Sequence, residues 1–82
     1  MWSIYILLCA DGSFYTGATN DVQKRFLAHQ AGKGAKYTRS HKPLKIIYSE
    51  EFATKSEALK REKEIQSWSR VQKITQLKLT FF

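Results

Sequence analysis

Five side chains in this sequence could act together on a charged substrate: Tyr5, Tyr15, Arg25, His29 and Glu62. Two phenols and an imidazole can hold or move protons. A guanidinium presents a planar fork of donors to an oxyanion. A carboxylate can hold a cation. Glu62 stands out because of its surroundings. In the helical pattern that follows Thr54, the residues Ala58, Leu59 and Ile65 define an apolar stripe, and Glu62 projects near its centre. A carboxylate on a buried face needs a cation, hydrogen bonds or a metal. The structural alternative is an ion pair with Arg25 or a lysine. Arg25 and His29, spaced i and i+4, share one helix face at the margin of a stripe marked by Val22, Phe26 and Leu27. Considered singly, His29 is also consistent with a core-edge histidine satisfied by one hydrogen bond, and Arg25 with a snorkelling surface cation.

The elements that must bring these residues together begin with a hairpin. Trp2 to Cys9 is short, rich in β-branched and aromatic residues and free of Pro and Gly, which predicts a strand. Ala10-Asp11-Gly12 has turn chemistry, and Phe14-Tyr15-Thr16 resumes the strand. A three-residue loop, a type I turn followed by a left-handed Gly12, pairs Leu7 with Tyr15. That register puts Tyr5 and Tyr15 on one face; a two-residue loop would separate them.

A helix starts after Thr19-Asn20-Asp21, with Asn20 as N-cap, and ends near Ala31 before Gly32. The stretch from Gly32 to Pro43 has two glycines, a proline and many cations, and is expected to be a loop. It lacks the Gly-Lys-Ser/Thr ending of a Walker loop. A third strand covers Lys45 to Ser49, with Glu50 to Phe52 finishing it. Thr54 with Glu57 forms a capping box for a helix running on to Trp68, and Ser69 opens a last helix with Val71, Ile74 and Leu77 on its apolar face. The ending Thr80-Phe81-Phe82 is left open between fraying and docking. The expected fold is a small α/β (α+β) sandwich. A three-stranded, mainly antiparallel sheet is flanked by about three helices, in the order β-β-α-β-α-α.

Eighty-two residues make a single domain over 1–82. With 14 Lys+Arg against 7 Asp+Glu the net charge is +7. No acidic residue occurs from Val22 to Ser49. A region with one sign of charge concentrates a polyanion, so nucleic acid is the leading partner. An acidic membrane is disfavoured because no amphipathic basic helix coincides with the basic stretch, and a solvated basic surface is the structural alternative. Lys33, Lys36, Tyr37 and Arg39 are the candidates for gripping a nucleic-acid backbone. One cysteine, Cys9, forms no internal disulfide, and no apolar run reaches membrane-spanning length. A soluble, cytoplasmic protein is expected.

The order of these parts resembles the GIY-YIG nuclease superfamily, in particular its small stand-alone bacterial members, over essentially the whole chain. Ser3-Ile4-Tyr5 stands where the family usually has Gly-Ile-Tyr, and Tyr15-Thr16-Gly17 where it often has Tyr-Ile-Gly. Arg25, His29 and Glu62 follow at matching places. Ala18 stands where some repair-associated members carry a lysine. His29 stands where other members have tyrosine. The resemblance implies a metal-dependent DNA endonuclease hydrolysing phosphodiesters, structure-selective and linked to DNA repair or recombination, with no small-molecule cofactor and no indicated protein partner. It implies Mg²⁺ or Mn²⁺ held by Glu62, Arg25 on the phosphate, Tyr5 as general base or as relay for the water proton, and Tyr15 and His29 orienting phosphate and water or sharing proton transfer. The base role requires a phenol pKa depressed from about 10. The alternatives are a non-catalytic nucleic-acid-binding module with a vestigial site, and an interaction domain whose basic loop binds an acidic protein.

Overall fold

A computed structural model describes residues 1–80; Phe81 and Phe82 of the open-ended terminus lie outside the described residues. The elements are β1 (Trp2–Cys9), β2 (Phe14–Thr19), α1 (Val22–Gln30), α2 (Lys36–Ser40), β3 (Pro43–Phe52), α3 (Lys55–Gln66) and α4 (Arg70–Leu77). The sheet order is β2-β1-β3, and both pairings are antiparallel. The almost continuously apolar β1 takes the centre because both its edges and both its faces are covered.

The hairpin adopts the register that its turn chemistry predicts. Leu7 pairs with Tyr15 and Tyr5 with Gly17. Gly12 N–H donates to the Cys9 carbonyl at 2.9 Å, Cys9 N–H donates to the Ser13 carbonyl at 2.9 Å, and Gly12 has φ +85°. Asp11 accepts from the Ser13 backbone and hydroxyl, a local Asx closure. Arg70, at the start of α4, caps the Gly12 carbonyl and lies over the Phe14 ring at 4.1 Å, tying the hairpin tip to the far helix.

The two faces of β1 have different tasks. Ile4 and Ile6 pack with Ala58 and Ile65 of α3 and with Leu79 in the main core. Tyr5 and Leu7 alternate to the opposite face, where His29 of α1 meets Tyr5. The sheet thus separates a packing layer from a polar layer.

Five local expectations need correction. The cap of α1 is Asp21, whose side chain accepts from Lys24 N–H, so Asn20 is not the N-cap. Leu27 is 62 % exposed while His29 is 1 % exposed, so the helix is rotated relative to its apolar pattern. A hydrogen-bonded pocket for the imidazole outweighs burial of one leucine. The segment expected as loop contains α2, because Ala35, Lys36, Tyr37, Thr38 and Arg39 close a helical turn between its glycines and Pro43. Finally, α3 ends at Gln66 rather than Trp68, and Leu59 is exposed rather than part of the buried stripe.

Candidate active site

Tyr5 is the centre of the polar layer. Its hydroxyl oxygen lies 2.8 Å from Nε2 of His29. The ring centroids of Tyr5 and Tyr15 are 6.3 Å apart, and those of Tyr15 and His29 are 5.1 Å apart in an edge-on arrangement. Arg25, one turn before His29 and exposed, lowers the pKa of Tyr5, Tyr15 and His29 through its charge. It also lines a cleft with Thr19, Asn20, Asp21, Lys24 and Ala28. Glu62 reaches the same place from the other layer: its charge raises the pKa of both phenols. Of the five residues expected from sequence, Tyr5, Tyr15 and His29 meet directly, and Arg25 and Glu62 lie within electrostatic range of the two phenols.

Burial and charge set the proton affinities. Burial pushes the Tyr5 phenol up to about 12, the neighbouring Tyr15 adds to the rise, and Arg25 opposes it without prevailing. The depressed phenol expected for a general base is not present. Desolvation also raises Tyr15. His29 moves the other way: burial, helped by Arg25, holds the imidazole below its usual value and keeps it neutral at pH 7.

Glu62 lies on the buried stripe as expected, between Ala58 and Ile65, and is half-buried. The alternative weighed for it, an ion pair with Arg25 or a lysine, is absent among the described residues. Arg61, its neighbour in sequence, turns instead to Glu50 at 3.2 Å and to Glu64. Glu57 accepts from the Thr54 hydroxyl at 3.0 Å. Of the three carboxylates of α3, Glu62 alone meets only an amide, Gln66 Nε2 at 3.3 Å. The same amide donates to the Thr16 carbonyl at 3.2 Å, anchoring α3 to the edge strand β2. Desolvation raises the Glu62 carboxyl above its ordinary pKa.

No cluster of three or more His, Cys, Asp and Glu side chains occurs among the described residues. His29 spends both ring nitrogens on protein partners. A single half-buried carboxylate without a counter-cation fits a hydrated magnesium or manganese ion, which keeps most of its waters, and does not fit zinc.

Three neighbours of the site receive no side-chain role from the sequence alone. Gly17 sits under the Tyr5 phenol: a Cβ there would come within 2.5 Å of the hydroxyl oxygen. Gly34 sits against His29, where a Cβ would come within 2.0 Å of Nδ1. Thr38 is buried in α2, with its hydroxyl 2.7 Å from His29 Nδ1. The two glycines could have been suspected as close-approach positions beside ring-bearing residues. Thr38 could not, because its placement depends on the unforeseen helix.

Of the grip candidates, Lys33, Lys36 and Arg39 are exposed along the turn and α2. Tyr37 stacks on Tyr15 at 5.9 Å and on His41 at 4.0 Å, the latter nearly parallel at 4°. A ladder of three rings thus leads from the site onto the basic segment.

The GIY-YIG catalytic domain matches residues 1–75. The chain belongs to the GIY-YIG family. A UPF0213 protein from Bacillus pumilus is 54% identical over 69 residues, covering 84% of this chain and 70% of that protein. One from Staphylococcus saprophyticus is 54% identical over 71 residues, covering 87% of each. The solution NMR structure of a UPF0213 protein from Bacillus halodurans is 43% identical with a TM-score of 0.61, covering 95% of this chain and 84% of that one. The expected small stand-alone bacterial type fits these relatives. The three-stranded sheet with its flanking helices is the GIY-YIG fold, a nuclease fold. No helix among the described residues is long and apolar enough to cross a membrane.

Proposed function

We propose that this GIY-YIG domain is a metal-dependent DNA endonuclease that hydrolyses phosphodiester bonds, selects its substrate by structure, and serves DNA repair or recombination. The observation that carries the reading is Glu62, a half-buried carboxylate that meets no cation among the described residues yet lies within electrostatic range of Tyr5 and Tyr15. Glu62 and waters would hold one Mg²⁺ or Mn²⁺, which supplies Lewis-acid stabilisation of the phosphoryl charge. Arg25 grips the non-bridging phosphate oxygens through its fork of donors. Tyr5 and His29 together take the proton of the attacking water. Tyr15 orients water and phosphate. Lys33, Lys36, Arg39 and Tyr37 hold the DNA strand outside the cleft.

One observation favours the alternative, a binding module with a vestigial site: a phenol held near pKa 12 is a poor base on its own. That module binds DNA in a salt-sensitive way and cuts nothing. The deciding experiment incubates wild type and Glu62→Ala with plasmid, branched DNA, single-stranded DNA and RNA in Mg²⁺ or Mn²⁺. Cleavage by wild type alone supports the nuclease. Equal inactivity on every substrate removes it.

A further inference from the structure

His29 is held from three sides. Its Nε2 faces the Tyr5 hydroxyl at 2.8 Å and its Nδ1 faces the Thr38 hydroxyl at 2.7 Å. The Gly34 backbone closes over the ring so tightly that no side chain fits. A histidine buried this fully makes its chemistry through whichever nitrogen carries no proton.

The Thr38 hydroxyl decides which one that is. Threonine has one hydroxyl proton, and Thr38 donates it to the Ala35 carbonyl at 2.9 Å. While that bond is kept, the Thr38 oxygen can only accept from His29. Nδ1 then carries the proton, and in the neutral ring Nε2 is left with a lone pair pointing at Tyr5. The Tyr5 hydroxyl then donates to Nε2. With the opposite tautomer, the Thr38 hydroxyl would have to turn and donate to Nδ1, giving up its bond to the Ala35 carbonyl, which would keep only the longer 3.3 Å bond from the Arg39 N–H. Burial keeps the ring in its neutral form.

We infer that Thr38, itself held by the Ala35 carbonyl, is a positioning residue that locks His29 in the Nδ1–H tautomer, so that Nε2 is the acceptor for the Tyr5 proton. This rests on the nuclease reading for its consequence but not for its geometry. As water attacks, its proton passes to the Tyr5 oxygen while the Tyr5 proton passes to Nε2. The water oxygen bonds to phosphorus, the P–O3′ bond breaks, and the 3′ oxygen takes a proton from solvent. The imidazolium later returns its proton to solvent. Tyr5 never has to exist as a free phenolate, which removes the conflict with its high pKa. The segment that fixes the tautomer, from Lys33 to Arg39, is also the one that carries the DNA-gripping cations. Displacing α2 would therefore also disturb the base.

The test measures the tautomer directly, by ¹⁵N chemical shifts of the His29 ring at neutral pH without DNA or metal. Wild type is expected to show protonated Nδ1 and unprotonated Nε2. The opposite assignment in wild type overturns the proposal whatever any variant does. Thr38→Val is expected to lose the single-tautomer signature and to lower kcat on the order of 10²-fold, with KM little changed. Thr38→Ser is expected to keep both. A Thr38→Val protein that retains protonated Nδ1 as the sole neutral form, or a Thr38→Ser protein that behaves like Thr38→Val, overturns it too. Because the ring assignment needs no cleavage, a failure of the nuclease reading leaves this measurement able to decide.

Discussion

The backbone of Gly17 passes directly beneath the Tyr5 phenol, so close that a Cβ on Gly17 would lie 2.5 Å from the Tyr5 oxygen and 2.7 Å from the ring carbon that bears it. The two residues are cross-strand partners, and glycine is what lets the phenol lie across β2 towards His29. Gly17→Ala should push the ring off Nε2, at a stability cost of about 1–3 kcal/mol for the overpacking, and abolish cleavage. Gly12→Ala is its control. Gly12 has φ +85° and open space where a Cβ would stand, so the cost there, about 1 kcal/mol, is backbone strain alone. Urea denaturation and specific activity of the folded fraction should separate the two: Gly12→Ala keeps its activity and Gly17→Ala does not. Full activity in Gly17→Ala would mean that the Tyr5 position is unimportant.

Glu62 should show opposite signs in stability and activity. Its carboxyl is raised by burial, so the folded chain prefers it protonated. Stability from that preference is present at acid pH and lost as pH rises through the folded value. At neutral pH the ionised form is a burden on the fold. Glu62→Gln removes the charge and keeps the shape, so Tm at pH 7 should rise. Cleavage in Mg²⁺ should fall on the order of 10³-fold, the scale of a lost Lewis acid. Thermal melts of the two proteins with and without Mg²⁺ check both. A stabilising effect of Mg²⁺ on wild type that survives in Glu62→Gln would place the ion elsewhere.

The residues whose signal is local were legible in the sequence. The β1–β2 register followed from Ala10-Asp11-Gly12, because turn chemistry fixes pairing, and with it the shared face of Tyr5 and Tyr15. Glu62 was visible as a carboxylate inside an apolar helical stripe. What escaped depends on packing between segments. The rotation of α1, which exposes Leu27 and buries His29, is set by hydrogen bonds from β1 and α2 that no periodicity encodes. Thr38 lies in a stretch whose glycines and cations resemble loop, and its role exists only once α2 folds back on α1. The high pKa of Tyr5 was illegible for the same reason, since desolvation is a property of the assembled site.

Stability should fall at both ends of the pH scale, for separate reasons. Burial lowers the pKa of His29, so the unfolded chain binds this proton first, near pH 6.5. Stability is present above that value and lost as pH falls through the folded one. Tyr5 is raised from 10.0 to about 12, so above pH 10 the folded chain keeps a proton that the unfolded chain releases. Stability is then lost between pH 10 and 12. Tyr15 and Tyr48 are also raised and share the alkaline loss. Tyr5→Phe should therefore flatten the alkaline limb without removing it, and leave the acid limb in place. Urea titrations at pH 5, 7 and 11 measure both limbs, and absorbance at 295 nm should lose its latest-ionising phenol in Tyr5→Phe. An unchanged alkaline absorbance profile would contradict the burial of that hydroxyl.

The basic segment should contribute affinity in two separable ways. Lys33, Lys36 and Arg39 are exposed and belong to a stretch without acidic residues. Contacts between such cations and phosphates release counterions, so affinity falls with salt in proportion to their number. Replacing all three with alanine should weaken binding to duplex DNA and flatten the log–log salt dependence by up to about 0.9 per cation removed. Tyr37 acts through its ring. It bridges Tyr15 and His41, and is 37% exposed. Tyr37→Ala should leave the salt slope unchanged and still weaken binding of a single-stranded oligonucleotide, by about 1–3 kcal/mol where a base stacks on the ladder. It should also loosen Tyr15, which loses its stacked neighbour, and so reduce cleavage more than binding. Fluorescence anisotropy across a salt series, with Glu62→Gln as the background to prevent cutting, distinguishes the contributions. A Tyr37→Ala protein whose salt slope falls like that of the triple variant would show that the residue holds the lysines and arginine in place rather than a base.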